Sequence, residues 1–303
     1  MSILLSSNFQ WVFFSTLILG IASGLIGCLA YFKKQSLMSD ALSHAALPGV
    51  MIAFLLFQEK SFLMLITGAY ISAFIGALFI NLIKSTTRIK EDSAMGIVLA
   101  VFFGGGIVLL TIVNRSSGGN KAGLDQFIFG QAASMIGSDV LMMTILALLV
   151  TVVVIVAFKE WKLFLFDPHF AKGLNLSMTT MNGLYIILLV LTIVIGIQAV
   201  GVILMSALLI IPPVSARYWT HSFKRMMILS AIFGGLGGAI GTTISTQGAS
   251  WPTGPFIVLT LGSIFLVSLL FGNKKGLIVE WILFRNKQNE LEQNSSLVRE
   301  GNS

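Results

Sequence analysis

Residues 36–49 read Ser-Leu-Met-Ser-Asp-Ala-Leu-Ser-His-Ala-Ala-Leu-Pro-Gly, and they open an apolar segment that continues to Phe57. Asp40 and His44 are four residues apart, so on a helix they lie one above the other on one face, separated by a rise of ~6 Å. A carboxylate and an imidazole placed in this way can bind a divalent cation between them. The spacing therefore makes Asp40 and His44 candidate metal ligands.

The surroundings of this pair favour a functional role over a structural one. Pro48 has no N–H to donate to the carbonyl of His44, so one carbonyl oxygen is left free beside the pair. Ionisable groups and an incomplete hydrogen-bond ladder are costly in lipid unless they line a cavity or face a partner. We interpret the stretch as the ion-handling point of a transporter. The competing interpretation is a helix-end ion pair or cap, because Asp40 lies only about one turn into its segment.

The composition is that of a membrane protein. Of the 303 residues, 56% are hydrophobic and only 10% are charged, and the mean hydropathy is +0.93. Repeated apolar runs of about 18–25 residues match the hydrocarbon thickness of a bilayer. The net charge of +7 comes from basic residues in short loops and in the tail, which the positive-inside rule explains without nucleic acid. The single cysteine, Cys28, excludes a disulfide framework. The fold class is therefore an all-α polytopic membrane protein.

The apolar runs predict about nine transmembrane helices. One run, residues 182–217, is ~36 residues long, which is too long for one crossing and about right for two. We place its turn at Gln198–Gly201, and Pro212 and Pro213 are expected to interrupt the second half by freeing the carbonyls of Leu208 and Leu209. The other runs are approximately 11–32, 36–57, 61–83, 94–113, 139–158, 226–244 and 256–271.

The distribution of charge predicts the orientation. With the N-terminus outside and the C-terminus inside, all 19 Lys and Arg residues except Lys60, Arg115 and Lys121 fall on the inner side. An eight-crossing arrangement would place the basic tail outside. The predicted domains are a transmembrane permease domain over residues 1–272 and a cytoplasmic polar, basic tail over 273–303 that is largely disordered.

A predicted inner loop contains a helix-start signal. Asp167 precedes Pro168, and proline is favoured at the first position of a helix, so we expect a short helix from about Asp167 to Gly173. The sequence has no Gly-x-x-x-x-Gly-Lys-Ser/Thr motif, so energy for transport must come from a separate subunit or from an ion gradient. The Asp-Pro helix favours a separate subunit.

The chain resembles a known family. Residues 36–49 are similar to the signature of the membrane permease subunits of manganese/zinc/iron ABC importers, and residues 198–212 and 166–172 agree with it. The resemblance extends roughly from Phe13 to Phe271. It implies a type II ABC importer-like fold, a bacterial plasma-membrane location and a role as the transmembrane subunit of an ATP-driven importer of Mn, Zn or Fe, with no enzymatic activity of its own.

The resemblance also implies partners and site residues. The partners are a second copy of the chain, a cytoplasmic ATP-binding subunit and an extracytoplasmic metal-binding protein; the divalent metal is cargo, with no cofactor bound permanently. Asp40 and His44 match the family's metal-coordinating residues. The residues that match its coupling helix, which docks on the ATPase, are Asp167, Pro168, Phe170, Ala171 and Lys172. His169 stands where the family commonly has glutamate, and the expected glycine is displaced.

The sequence features also bear on two other classes of protein. A gradient-driven secondary divalent-metal transporter or channel usually has several acidic residues inside its crossings, whereas this chain has essentially Asp40, with Asp139 near a boundary. An intramembrane metalloprotease would need a His-Glu-x-x-His pattern, which the sequence lacks. One Asp–His pair is a thin coordination shell, but two-fold symmetry would supply a second carboxylate and a second imidazole.

Overall fold

The computed structural model describes residues 7–58, 61–115, 137–248, 251–274, 276–279, 281 and 285, and the regular structure in these residues is helical. Eight of the described helices are long and apolar enough to cross a membrane, namely α1–α5, α8, α10 and α11. The helices are α1 (Ser7–Phe32), α2 (Met38–Phe57), α3 (Phe62–Thr86), α4 (Glu91–Arg115), α5 (Gly137–Val156), α6 (Phe158–Phe166), α7 (Pro168–Gly173), α8 (Met178–Val200), α9 (Val202–Trp219), α10 (Phe223–Ser245) and α11 (Thr253–Phe271).

The bundle is built around α8, which packs against α1, α2, α3, α5, α9 and α11. Its side chains are apolar and buried around most of its circumference, as expected for a helix in the middle of a membrane protein. The peripheral helices α4 and α5 show the opposite pattern, with many large apolar side chains exposed. Such an apolar exterior suits lipid or a partner rather than water.

Helices α1 and α10 cross at a very short distance. A Cβ built on Gly20 would lie 2.1 Å from the carbonyl oxygen of Gly234, and one built on Gly24 would lie 2.3 Å from that of Ser230. The hydroxyl of Ser230 donates a hydrogen bond of 2.6 Å to the carbonyl of Gly24. The glycines of α1 thus serve close helix packing, which is the usual role of small residues between membrane helices.

Helix α2 lies between α3 and α4. Gly49 and Gly68 are in backbone contact, while Gly76 lies against Ala45, so α2 and α3 run antiparallel. The hydroxyl of Ser72 donates to the carbonyl of Ala45 at 2.7 Å. The helix continues through Pro48 to Phe57, because a proline removes one hydrogen bond without preventing the following turns from forming.

The long apolar run 182–217 forms two helices, α8 and α9. They are separated at Gly201, whose φ of 95° is a conformation that favours glycine. The predicted interruption at Pro212 and Pro213 is wrong, since α9 continues through both to Trp219. The carbonyl of Leu209, which Pro213 leaves without its usual donor, instead lies against the backbone of Gly27, where a built Cβ would be 2.0 Å away.

Helix α9 runs parallel to α11. Gly254, at the start of α11, lies against the carbonyl of Val200, and at the other end the indole N–H of Trp219 donates to Ser268 at 3.0 Å. The number of crossings and the outside N-terminus stay predictions. Most of the predicted disordered tail lies outside the described residues.

Candidate metal centre and docking helix

The two predicted metal ligands lie on one face of α2. Asp40 is in the first turn, and His44 follows one turn later. The Nε2 atom of His44 is 3.7 Å from Oδ1 of Asp40. This separation is too long for a hydrogen bond, and an ion bound at about 2.1 Å from each atom can span it. The side chain of His44 is 15% exposed and that of Asp40 is 38% exposed, so the carboxylate reaches an open side of the chain.

Helix α4 forms a wall beside the pair. The rings of His44 and Phe103 make a T-shaped contact with centroids 4.8 Å apart and an interplanar angle of 75°. One turn further along both helices, a Cβ built on Gly106 would lie 2.9 Å from Cβ of Leu47 and 3.3 Å from Cδ of Pro48. The close approach at Gly106 therefore holds Phe103 against His44. Phe103 could not be identified from the sequence, because nothing in the spacing along the chain relates residue 103 to residue 44.

The site is incomplete within one chain. Among the described residues, no group of three or more His, Cys, Asp or Glu side chains is placed to hold a metal ion. The Nδ1 atom of His44 is buried, and no residue that the structure describes forms a hydrogen bond with it. A carboxylate and an imidazole alone leave most coordination positions of Mn²⁺, Zn²⁺ or Fe²⁺ to other ligands. The remaining coordination positions of an ion would have to be filled by water, by groups of another chain or by groups of this chain in a different conformation.

The predicted loop helix is present as α7. The carboxylate of Asp167 caps it by accepting a hydrogen bond of 3.0 Å from the backbone N–H of Phe170, and Pro168 is its first residue. Phe170 is 56% exposed and Lys172 is also exposed, whereas Ala171 is fully buried. The helix therefore presents an apolar and a basic side chain outward, while Ala171 packs it against the rest of the protein.

An aromatic cluster joins this region to the long helices. Phe166, one residue before Asp167, lies with its ring centroid 5.1 Å from that of Phe32 and 5.4 Å from that of Phe223. Phe32 ends α1 and Phe223 begins α10, so the segment before α7 is packed through aromatic rings against both helices of the close crossing.

A charged cluster lies at the same end of the bundle. Lys33 Nζ donates to Oδ1 of Asn182 at 2.5 Å and lies 4.2 Å from the ring centroid of Tyr185, while Lys84 Nζ is 2.5 Å from Oε2 of Glu91. These groups belong to the ends of α1, α3, α4 and α8 and border a cavity of about 170 Å³. Burial lowers the pKa of Lys33 to about 8; Glu91 opposes this shift and Lys84 adds to it. From the sequence, Lys33, Lys84 and Glu91 were assigned only to polar loops, and Asn182 only to the start of the apolar run 182–217.

Comparison with known proteins identifies the family. Residues 6–272 match the ABC 3 transport family. This chain belongs to that family.

Members of the ABC 3 family with curated names are similar over most of this chain. It is 45% identical over 275 residues to the manganese transport system membrane protein MntC of Bacillus subtilis, covering 91% of this chain and 63% of that protein, so the chain spans less than two thirds of that relative. It is 44% identical over 284 residues to the zinc transport system membrane protein TroC of Treponema pallidum, covering 94% and 95% respectively. This ABC 3 protein is therefore a multi-pass membrane protein of a bacterial transport family.

A solved structure agrees with the fold of this ABC 3 protein. The structure described as PsaBC from Streptococcus pneumoniae in complex with Fab superimposes with a TM-score of 0.77 at 30% identity, covering 89% of this chain and 94% of that one.

Proposed function

We propose that this chain is the transmembrane subunit of an ATP-driven importer of a divalent metal ion, Mn, Zn or Fe. The observation that carries the proposal is the pair formed by Asp40 Oδ1 and His44 Nε2, 3.7 Å apart on a helix with no other ionisable side chain and with the carboxylate reaching an open side. The ABC 3 relatives named for manganese and zinc transport support the choice of cargo. A carboxylate oxygen with an imidazole nitrogen suits these borderline ions better than Ca²⁺ or Mg²⁺.

In this proposal the ion passes between two copies of the chain. An isologous interface brings the same patch from both subunits, so a second Asp40 and a second His44 would complete a site of two carboxylates and two imidazoles. The incomplete coordination within one chain and the 38% exposure of the Asp40 side chain support this arrangement. An extracytoplasmic metal-binding protein would deliver the ion.

The energy would come from a separate ATP-binding subunit that docks on α7. The exposed Phe170 and Lys172 supply an apolar anchor and a positive charge for that contact, whereas the buried Ala171 fixes the helix to the membrane domain. The rings of Phe166, Phe32 and Phe223 would pass the movement of the ATPase to α1 and α10. The membrane subunit itself carries no catalytic role.

Metal uptake by cells that express the complete transporter tests the site. Asp40→Asn and His44→Gln keep the volume of each side chain but remove a strong ligand, so uptake of Mn²⁺ and Zn²⁺ should fall at least tenfold while the complex still assembles. Asp139→Asn is the matched control, because Asp139 is an acidic residue in the first turn of another membrane helix, and it should transport normally. Unchanged uptake by both site variants would refute the metal-site assignment.

A second experiment separates this proposal from a gradient-driven carrier. The ATP-binding subunit should co-purify with the wild-type chain in mild detergent and be lost in Phe170→Asp, which places a charge in an apolar contact. Thr87→Asp adds the same charge to an exposed loop at the same end and should retain the ATPase. Metal uptake that persists in the absence of any ATP-binding subunit would favour the secondary carrier.

A further inference from the structure

The imidazole of His44 is held differently from most metal-binding histidines. A ligating histidine usually donates its second ring nitrogen to a carboxylate, carbonyl or water, which fixes the orientation of the ring. In the described residues the Nδ1 atom of His44 is buried without such a partner. Rotation of the imidazole about its Cβ–Cγ bond would move Nε2 away from Asp40, so another contact must oppose that rotation.

The ring of Phe103 provides that contact. Its centroid is 4.8 Å from that of His44 in a T-shaped arrangement, so the imidazole contacts Phe103 of α4 while its Nε2 atom lies 3.7 Å from Asp40 of its own helix. T-shaped pairs at this distance are favourable beyond the area they bury.

The backbone fixes where Phe103 stands. Gly106, one turn later on α4, approaches Leu47 and Pro48 so closely that even a methyl group would be 2.9 Å from Cβ of Leu47. Helices α2 and α4 run in the same direction here, so the close approach at Gly106 also determines the distance between Phe103 and His44. Helix packing therefore sets the position of the Phe103 backbone, and from there its side chain, which is 39% exposed, reaches His44.

We propose that Phe103 is a positioning residue of the metal site, whose ring holds the imidazole of His44 with Nε2 toward Asp40 and thereby raises the affinity for the divalent cation. The inference rests on the proposed function of the Asp40–His44 pair. It assigns to Phe103 an effect on the binding of the ion and none on the maximal rate, because the ring contacts a ligand and lies away from α7.

The test compares variants of Phe103 in the complete transporter. Loss of the aromatic pair should raise the KM for Mn²⁺ uptake by roughly 2- to 12-fold in Phe103→Leu and Phe103→Ala, with Vmax unchanged. Phe103→Tyr keeps the ring and should restore the wild-type KM. The matched control is Phe102→Ala, because Phe102 is the neighbouring phenylalanine on α4 and pairs with Phe79 instead of His44.

Direct binding of Mn²⁺ to the purified complex, measured by titration calorimetry, gives a readout independent of transport. The same rank order of dissociation constants is expected, with Phe103→Tyr near wild type and Phe103→Leu weaker. Wild-type binding by Phe103→Leu, or equal weakening by Phe102→Ala, would overturn the inference about Phe103 alone. Wild-type binding by Asp40→Asn would instead overturn the proposed function. If Phe103→Ala fails to assemble, the comparison of the leucine and tyrosine variants decides, since leucine keeps a large apolar side chain without the ring and tyrosine keeps the ring.

Discussion

The close crossing of α1 and α10 makes a quantitative prediction for Gly234→Ala. The added Cβ would lie 2.1 Å from the carbonyl oxygen of Gly20, where ordinary contact requires at least 3.4 Å. The neighbour is backbone, so it cannot rotate away, and the two helices would have to separate locally by more than about 1 Å. That separation would also stretch the hydrogen bonds between Thr16 and Thr242, now 2.9 Å, and between Ser230 and Gly24.

The expected loss of stability is about 2–4 kcal/mol, of which overpacking contributes about 1–3 kcal/mol and the weakened interhelical hydrogen bonds about 0.6 kcal/mol each. The free energy of unfolding can be measured by titrating the purified protein in mixed detergent micelles with SDS. Gly262→Ala is the control, because a Cβ built on Gly262 meets nothing within 4 Å. That substitution should be neutral or stabilise the protein by up to about 1 kcal/mol through helix propensity.

A double variant sharpens the test. Gly20→Ala clashes with the carbonyl of Gly234 at the same crossing, so the separation forced by one substitution relieves part of the other. The cost of Gly20→Ala with Gly234→Ala should therefore be smaller than the sum of the two single costs. A loss below about 0.5 kcal/mol for Gly234→Ala, or strict additivity of the pair, would refute the packing argument.

Three further outcomes are expected. Between pH 8 and pH 10.5 Lys33 has lost its proton in the folded protein but retains it in the unfolded chain, so the free energy of unfolding of the wild type should rise with pH through this window. The variant Lys33→Met should lack this rise in the same SDS titrations. An equal rise in Lys33→Met would contradict the assignment to Lys33. Asp167→Ala removes the cap of α7 and should destabilise that helix by about 1 kcal/mol, reducing the ATP-binding subunit that co-purifies, whereas Asp167→Asn should retain it. Gly201→Ala forces a Cβ into a backbone with φ of 95° and should cost about 1–3 kcal/mol in the free energy of unfolding; an unchanged value would mean that the turn relaxes without strain.

Some residues of the candidate site could be predicted from the sequence and others could not. Asp40 and His44 were predicted because helical spacing alone places them on one face, and α2 is continuous through both. Phe103 could not be predicted, because its distance from His44 depends on how closely α4 approaches α2 at Gly106. Local periodicity can place two residues of one helix on the same face, whereas a contact with a residue of another helix depends on how the helices pack.

The short helix α7 was likewise predicted only in part. The start of α7 follows from Asp167 and Pro168, since capping and the fixed φ of proline act within one turn. The separate roles of Phe170 and Ala171, one exposed and one buried, depend on which side of this short helix faces the bundle. A six-residue helix carries too little periodicity for the sequence to show that side.

By itself, the sequence determined that this is a bundle of apolar helices, that the run 182–217 turns within Gln198–Gly201 and that Asp40 lies one turn before His44. Each of these depends on hydropathy over about 20 residues or on backbone stereochemistry within a single turn. Only the tertiary structure decided that α9 passes through its two prolines, and that Lys33, Glu91 and Asn182 meet in one charged cluster. These features arise because packing brings together side chains and carbonyl groups that are far apart along the chain, and their contacts outweigh the local preferences of each segment.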